Sequence, residues 1–256
     1  MMSVADYLKK RMEEDGGCCL ILIDPFEQPP AEGARLAKAA DKAGADAVLI
    51  GGSLGAQGEY LDATARAIKE AVSVPTVIFP SNVGAISRYV DAIYFMYMIN
   101  STTPYNITGA QIQGAPVIKK YGIEAIPMAY VVLEPGQTVG WVGNANLVPR
   151  NNPDVAAACA LAGEYMGAKF VLTDSGSGAP SPAPLELVKA VKSAITVPYI
   201  NAGGIKSPEQ AYECIRNGAD AVQIGTAIEK VKGMKAAAER MGKLVKAVKK
   251  AGKEKL

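Results

Sequence analysis

The chain has 256 residues, a formal net charge of +2 and no histidine, and hydrophobic residues make up 49% of it. The length is close to that of one (β/α)8 barrel, and the apolar content is enough for a large core. The near-neutral charge, with no basic stripe that carries aromatic residues, argues against nucleic-acid binding. The apolar runs are too short to span a bilayer, and the first residues lack the pattern of a secretory signal peptide.

The chain contains four cysteines, Cys18, Cys19, Cys159 and Cys214. No Cys-x-x-Cys pair is present and histidine is absent, so a zinc site is not expected. The cysteines lie in apolar or alanine-rich segments, which predicts buried free thiols and a cytoplasmic protein. Without histidine, any proton transfer would fall to carboxylates, lysine, tyrosine or water.

Taken in chain order, short apolar segments alternate with segments of helical spacing. Strands are predicted at residues 18–23, 47–50, 76–79, 92–97, 123–133, 170–172, 197–201 and 221–224. Helices are predicted at residues 31–43, 60–72, 104–121, 153–166, 184–194, 208–217 and 232–250, with a shorter helical piece near 83–89. Residues 134–151 form a loop rich in glycine and asparagine that contains the only tryptophan, Trp141. A loop of this length is more often functional or interfacial than idle.

The strands lack apolar–polar alternation, which is typical of a parallel sheet covered on both faces. A doubly wound sheet and a closed barrel both satisfy this pattern. Glycines after strands two, six, seven and eight favour closure, because they can converge only if strand eight lies beside strand one. The sequence Gly-Ala-Asp-Ala-Val recurs at residues 44–48 and 218–222, as expected of a repeated βα unit. We therefore predict a TIM (β/α)8 barrel, with residues 1–256 forming a single domain.

Two predicted strands end directly in glycines, at Gly203-Gly204 and at Gly225-Thr226. Such ends let an anion approach free backbone N–H groups closely, and the start of a following helix favours negative charge there. In a (β/α)8 barrel the loops after strands seven and eight commonly form a phosphate site. Gly176-Ser177-Gly178, which is weak alone, adds a third loop. The pattern predicts a phosphate site made of three loops.

Asp24 ends the first predicted strand, and Ser53 follows the second. Asp24 precedes a proline and could simply order a turn, while Ser53 could be a helix N-cap. At a barrel mouth that also binds phosphate, they would instead hold Mg²⁺. Proteins usually bind that ion through one or two carboxylates together with substrate phosphates and water.

Asp174 lies at the head of the loop after the sixth strand. As a structural residue it would order that loop through an Asx turn. As a functional residue it would orient or deprotonate a substrate hydroxyl beside the phosphate. Both interpretations remain open on the sequence.

Two further segments have an ordinary and a functional interpretation. Residues 94–98, Tyr-Phe-Met-Tyr-Met, are either barrel packing or the wall of an apolar groove for a long hydrocarbon substrate. The last helix has a basic face that is either solvated or in peripheral contact with anionic membrane lipid. The lysines of that face are Lys243, Lys246, Lys249, Lys250, Lys253 and Lys255.

Short motifs spread in order over nearly the whole chain resemble one family. They occupy residues 20–25 (Leu-Ile-Leu-Ile-Asp-Pro), 51–53 (Gly-Gly-Ser), 79–82 (Phe-Pro-Ser-Asn), 87–89 (Ser-Arg-Tyr), 100–102 (Asn-Ser-Thr), 109–111 (Gly-Ala-Gln), 134–142 (Glu-Pro-Gly-Gln-Thr-Val-Gly-Trp-Val), 176–179 (Gly-Ser-Gly-Ala), 203–205 (Gly-Gly-Ile) and 225–226 (Gly-Thr). Together they resemble the geranylgeranylglyceryl phosphate synthase family, archaeal prenyltransferases that share a fold with the bacterial PcrB-type proteins.

The resemblance implies transfer of a geranylgeranyl group from its diphosphate to the C3 hydroxyl of sn-glycerol 1-phosphate, with Mg²⁺ as cofactor. It assigns Asp24 and Ser53 to Mg²⁺. The glycerol phosphate would be bound by Leu172, Thr173, Asp174, Ser175, Gly176, Ser177, Gly178, Gly203, Gly204, Gly225 and Thr226. The loop with Trp141 resembles the branch whose members are homo-oligomers, either dimers or hexamers. Within this frame we expect Asp174 to be the catalytic residue.

The sequence departs from the family at strand six. The family's motif usually reads Tyr-Leu-Glu-Ala-Gly-Ser-Gly, whereas residues 172–178 read Leu-Thr-Asp-Ser-Gly-Ser-Gly. The tyrosine hydroxyl is absent at Leu172, and the carboxylate of Asp174 is one methylene shorter. The phosphate site is unaffected, but the groups that handle the glycerol hydroxyls are changed.

Two other functions use the same features. A sugar-phosphate isomerase or aldolase would use the phosphate site, but it also needs a lysine or an acid–base pair at the mouth, and no lysine lies at a predicted strand end. A non-catalytic barrel that binds phosphate ligands or lipids would bind substrates without turnover.

Overall fold

The computed structural model describes residues 2–256 and contains eight parallel strands that close into a barrel in sequence order. The strands are β1 (Cys18–Ile23), β2 (Ala47–Ile50), β3 (Thr76–Ile78), β4 (Ala92–Met98), β5 (Glu124–Val132), β6 (Phe170–Asp174), β7 (Tyr199–Ala202) and β8 (Ala221–Ile224). β8 pairs with β1, with Ala221 opposite Cys18 and Ile224 opposite Ile21. The predicted (β/α)8 barrel is confirmed, and the doubly wound sheet is excluded.

Helices surround this barrel in the order that the sequence predicts. They are α1 (Val4–Asp15), α2 (Pro30–Ala43), α3 (Gly58–Ala71), α4 (Ala110–Tyr121), α5 (Gln137–Val142), α6 (Pro153–Tyr165), α7 (Leu185–Ala194), α8 (Pro208–Arg216), α9 (Thr226–Glu229) and α10 (Met234–Lys255). A π-helical turn, Tyr105–Gly109, leads into α4, so the long helix predicted at residues 104–121 has a distorted start. Helices α1, α5 and α9 were not predicted.

The strands are buried on both faces because successive side chains alternate between two apolar layers. Leu20, Leu172 and Ala202 belong to the layer inside the barrel. Ile21 and Val171 belong to the layer between the barrel and its helices. This alternation decides which strand-end residues reach the mouth of the barrel.

Helix α1 closes the amino-terminal end of the barrel. Ala5, Leu8 and Met12 are buried against the inner layer. Ser3 caps the helix, and the carboxylate of Glu124, at the start of β5, accepts hydrogen bonds from the first backbone N–H groups of α1. The barrel interior is therefore open only at the carboxyl ends of its strands.

The helical piece predicted near residues 83–89 is wrong, since no helix lies between β3 and β4. Local side-chain bonds compete with helix formation there. The Asn82 side chain accepts a hydrogen bond from the Gly84 N–H at 2.7 Å, and the Ser87 hydroxyl accepts one from Tyr89 at 3.3 Å. Consequently the seam between β3 and β4 lacks the helix that the other connections between strands provide.

Part of the basic face of α10 has structural roles. Lys249 bridges Asp15 and Asp46, at 2.8 Å and 2.6 Å. Lys255 donates to the Ala219 carbonyl and pairs with Asp220. Within residues 2–256, no helix has both the length and the apolar character needed to cross a membrane.

Candidate active site

A cavity of about 730 Å³ occupies the mouth of the barrel, at the carboxyl ends of the strands. It extends sideways between the outer face of β4 and helix α4, where Ile86, Phe95 and Ile118 form its wall. The mouth is polar and the lateral extension is apolar. The cavity can therefore accept a ligand with a charged head and a long hydrocarbon chain.

The glycine loops after β6, β7 and β8 meet at one side of this mouth. Gly203 and Gly204 have φ values of +79° and +72°, which glycine alone adopts readily. The hydroxyls of Ser177 and Thr226 lie 2.8 Å apart and join two of the loops. The N–H groups of Gly178, Gly203 and Gly204 donate to no acceptor among residues 2–256, so they are free for an anion.

Asp174 is the last residue of β6 and is only 6% exposed, at the edge of this site. Its two carboxylate oxygens accept hydrogen bonds from different donors, the Gly176 N–H at 2.7 Å and the Tyr130 hydroxyl at 2.8 Å. Burial raises the pKa of Asp174, and these two donors oppose the rise. The loop-ordering role is therefore present, and each oxygen still has a lone pair for a substrate hydroxyl.

Asp24 lies at the mouth on the side of β1, the strand next to β8. One carboxylate oxygen accepts a hydrogen bond from the Phe26 N–H at 2.9 Å, which is the Asx turn that the sequence allows. The carboxylate also lies directly against Gly52, whose missing side chain makes room for it. Burial and repulsion from Glu27 raise the pKa of Asp24. Ser53 lines the same part of the cavity.

Glu229, in the short helix α9, also lines this side. Burial first, and then repulsion from Asp24 and Glu27, raise the pKa of Glu229 to about 7. A cation placed here would relieve that repulsion. No group of three or more Asp, Glu, Cys or His side chains within residues 2–256 is arranged to hold a metal ion by itself. Mg²⁺ would accordingly need substrate phosphate and water oxygens beside Asp24 and Ser53.

Most of the predicted site residues line the cavity. They are Asp24, Ser53, Asp174, Ser177, Gly178, Gly203, Gly204, Gly225 and Thr226. Two lysines that sequence reasoning passed over, Lys206 and Lys230, also reach the wall. Lys206 donates to the Pro180 carbonyl at 3.0 Å and so links two of the glycine loops.

Four residues expected to bind glycerol phosphate lie outside the cavity wall: Leu172, Thr173, Ser175 and Gly176. Leu172 is buried inside the barrel below the mouth. Side chains alternate along β6, and Asp174 points into the mouth, so the preceding Thr173 points outward. Its hydroxyl lies 2.7 Å from that of Tyr199. Ser175 is fully buried beside Arg150. Side-chain contact between Leu172, Thr173 or Ser175 and a ligand is not supported by this arrangement.

The sequence pattern that defines the PcrB family matches residues 9–249. The chain belongs to the PcrB family. A relative from Pyrococcus horikoshii, named geranylgeranylglyceryl phosphate synthase, is 50% identical over 238 residues, which is 93% of each chain. A relative of the same name from Thermococcus sibiricus is 47% identical over 246 residues, 96% of each chain.

Solved structures agree with this assignment. The (S)-3-O-geranylgeranylglyceryl phosphate synthase of Thermoplasma acidophilum, solved in complex with its substrate sn-glycerol-1-phosphate, superposes with a TM-score of 0.93. It is 36% identical in sequence, and the match covers 98% of this chain and 100% of that one.

In this PcrB-family chain, sequence reasoning missed two polar residues at the mouth. Tyr130 pairs in register with Leu172 and brings a tyrosine hydroxyl to Asp174 from β5 rather than from β6. Gln223, in β8, lines the cavity two residues before Gly225. Both are polar groups inside apolar strands, at positions that alternation directs into the barrel. That signal was present in the sequence but was not used.

Proposed function

We propose that this protein is a geranylgeranylglyceryl phosphate synthase. It joins the geranylgeranyl group of geranylgeranyl diphosphate to the C3 hydroxyl of sn-glycerol 1-phosphate and thereby forms the first ether bond of archaeal membrane lipids. This proposal rests on the observation that glycine loops suited to a phosphate, a buried carboxylate and an apolar groove all line the same cavity. Relatives with this name at up to 50% identity over nearly the whole chain support it.

The phosphate of the glycerol substrate would bind at the free N–H groups of the glycine loops. The diphosphate of the second substrate would bind next to them, at Asp24 and Ser53, the residues that would also hold Mg²⁺. The metal would neutralise the leaving diphosphate, which is the main chemical requirement of prenyl transfer. Removing it with a chelator should abolish transfer, and added Mg²⁺ should restore it.

Asp174 would accept a hydrogen bond from the C3 hydroxyl and orient its oxygen toward C1 of the prenyl chain. The new bond forms between that oxygen and C1, the bond from C1 to the diphosphate oxygen breaks, and the hydroxyl proton leaves to Asp174 or water. Orientation of this kind accounts for much of the rate in such reactions. Replacing Asp174 with Asn should lower kcat about 100-fold, the usual scale for a lost general base.

The prenyl chain would lie in the lateral groove along β4. Phe95, Ile86 and Ile118 supply an apolar wall, and Met96 and Met98 add flexible surface near the mouth. Tyr94 is buried and packs edge-on against Phe79, with ring centroids 5.8 Å apart. The segment at residues 94–98 therefore combines barrel packing with groove wall, and the groove fits the hydrocarbon substrate that the sequence suggested.

Two further properties belong to this proposal. All four cysteines are free thiols, which fits action in the reducing cytoplasm. Trp141 on α5 is 83% exposed and Ile112 on α4 is 72% exposed, which fits a homo-oligomer that covers them. Light scattering of the wild type and of Trp141→Ala would measure the assembly and its dependence on this surface.

The deciding experiment incubates the protein with labelled sn-glycerol 1-phosphate, Mg²⁺ and prenyl diphosphates of several lengths. We expect a labelled ether lipid that forms fastest with the geranylgeranyl donor. Binding of both substrates by calorimetry without product would contradict the proposal and favour a non-catalytic lipid-binding barrel.

A further inference from the structure

A row of three residues lies directly below the phosphate site. Asp174 of β6 pairs in register with Ala202 of β7, and Ala202 pairs with Gln223 of β8. All three line the cavity. Because pairing at one level of a parallel sheet sends side chains to the same face, the carboxylate and the amide flank the small Ala202 methyl group.

The amide of Gln223 has no partner in the protein. The residue is 5% exposed, and its Oε1 atom is buried without a hydrogen bond. Within residues 2–256 the side chain of Gln223 neither donates nor accepts a hydrogen bond, and its neighbours Ala202 and Leu20 are apolar. A buried amide in this state costs free energy unless something in the cavity satisfies it.

The spacing of the row suits a three-carbon ligand. Adjacent strands are about 4.8 Å apart, so the main chains at Asp174 and Gln223 are separated by roughly 10 Å, and both side chains point into the barrel on either side of Ala202. The glycines of the phosphate site follow immediately, since Gly203 comes next after Ala202 and Gly225 comes two residues after Gln223. A phosphate bound there would place its attached carbons over Ala202.

We propose that Gln223 binds the secondary, C2 hydroxyl of glycerol phosphate and thereby selects the enantiomer that the enzyme accepts. This inference rests on the proposed function. Contacts at the phosphate and at the terminal hydroxyl fix only two points of the glycerol unit, and two points do not distinguish mirror images. The amide of Gln223 supplies the third point, and as both donor and acceptor it can pair with a hydroxyl in either orientation.

The hydroxyl of Tyr94 is another buried polar group of the cavity that has no hydrogen-bond partner. Tyr94 belongs to β4, on the side of the barrel away from β7 and β8, and packs against Phe79. The glycine loops do not lie above it. Gln223 is therefore the better placed of the two for a ligand anchored at those loops.

The test compares two phosphate substrates, sn-glycerol 1-phosphate and 3-hydroxypropyl phosphate, which lacks the C2 hydroxyl. Transfer of the geranylgeranyl group is measured with the wild type and with Gln223→Leu. We expect Gln223→Leu to lower kcat/KM for glycerol phosphate about tenfold, which is the scale of one lost hydrogen bond. For the analogue, kcat/KM should fall by no more than about twofold. We also expect the wild-type preference over sn-glycerol 3-phosphate to shrink.

Gln111→Leu is the matched control, because Gln111 is a second glutamine of the same cavity whose Oε1 is buried without a partner, but it lies on α4 beside the groove. It should change kcat/KM for the two phosphate substrates by the same factor. Gln223→Met repeats the test with a side chain of similar length that has no amide. Calorimetry of inorganic phosphate binding checks that the glycine loops remain formed in each variant.

An equal loss with both substrates, or no loss with either, would overturn the inference and show that Gln223 binds only water or packs. If the wild type binds glycerol phosphate but transfers no prenyl group to any acceptor, the proposed function itself fails, and the inference fails with it. Turnover by the wild type together with an unchanged preference in Gln223→Leu removes the inference alone.

Discussion

Asp24 and Asp174 occupy equivalent positions, at the carboxyl ends of β1 and β6, but their surroundings differ. Both carboxyl groups have a pKa raised by burial. Asp174 has one hydrogen-bond donor on each oxygen, and no charged group contributes to its pKa shift. Asp24 has a single backbone donor and is repelled by Glu27, while Glu229 is in turn repelled by Asp24.

This difference separates the mouth into two kinds of carboxylate site. Asp174 is compensated by neutral donors, so it can receive a neutral hydroxyl without further change in charge. Asp24 belongs to an acidic group with Glu27 and Glu229, whose repulsion Lys230 relieves only in part, so a cation would stabilise it. In the proposed function, one residue type would therefore serve two tasks, and the neighbours at each strand end would decide which.

The largest expected effect tests the cation side. Asp24→Asn preserves shape but removes the charge, so kcat/KM for the prenyl diphosphate should fall about 100- to 1000-fold, the scale of losing one electrostatic contact in the transition state. The apparent requirement for Mg²⁺ should rise. The control, Asp154→Asn, removes an exposed carboxylate of α6. An Asp24→Asn enzyme with the wild-type Mg²⁺ response would contradict the assignment.

A smaller effect should follow from displacing the same carboxylate without changing it. A methyl group at Gly52 would overlap the Asp24 side chain, so Gly52→Ala should lower kcat/KM about 10- to 100-fold. Gly242→Ala is the matched control, because nothing lies within 4 Å of the added methyl group and α10 gains helix propensity. Steady-state rates and thermal unfolding of both variants distinguish displacement from general destabilisation.

On the phosphate side, Tyr130→Phe should reduce kcat about 5- to 10-fold, since one neutral hydrogen bond is lost. The hydroxyl of Tyr130 stabilises the ionised form of Asp174 and lowers its pKa, so removing it raises that pKa. The acidic limb of the kcat/KM profile should therefore move to higher pH. Tyr97→Phe, which loses a hydroxyl bond to the Gly163 carbonyl outside the barrel, should leave this limb in place.

The smallest effect concerns stability rather than rate. The pKa of Glu229 is about 7 in the folded protein, against an ordinary value of 4.5. The folded state therefore binds more protons than the unfolded state between these values, and the free energy of unfolding falls as pH rises through the interval. Without Mg²⁺, Glu229→Gln should be more stable than the wild type by about 1–2 kcal/mol at pH 8 after allowance for solvent screening.

The difference in stability between wild type and Glu229→Gln should shrink toward pH 5, where the wild-type carboxyl is protonated in the folded state. Denaturant unfolding at both pH values measures it. If the two proteins differ in free energy of unfolding by the same amount at pH 5 and pH 8, the pKa of Glu229 is not raised in the folded protein. That result would contradict the inferred repulsion between Glu229 and Asp24.

Strands were the most predictable part of this fold. The bounds of β1, β2 and β8 agree with the sequence pattern, because these strands are short, apolar except for Gln223, and bounded by glycine or aspartate. Helix α1 was missed because its buried face consists of only Ala5, Leu8 and Met12 within a charged segment. The helix predicted near residues 83–89 failed because side-chain bonds from Asn82 and Ser87 to the backbone outweigh its apolar spacing.

The positions of the candidate site residues were predictable where the backbone alone sets them, as at Gly203 and Gly204. It was less predictable where a side chain's direction decides. Extending β6 by two residues, to Asp174, turns Thr173 away from the mouth. Register across the sheet, which no local pattern reveals, is what brings Tyr130 to Asp174 and places Gln223 level with it.

The missing helix after β3 also makes one seam of the barrel weak. β3 and β4 share two register pairs, whereas β4 and β5 share seven. Local opening should start at this seam, where few ladder bonds and no covering helix oppose it. A prenyl chain lying along β4 would close the same gap, so donor binding should slow amide hydrogen exchange in residues 76–98 more than elsewhere in the barrel. The enzyme would then complete the wall of its barrel with its own substrate.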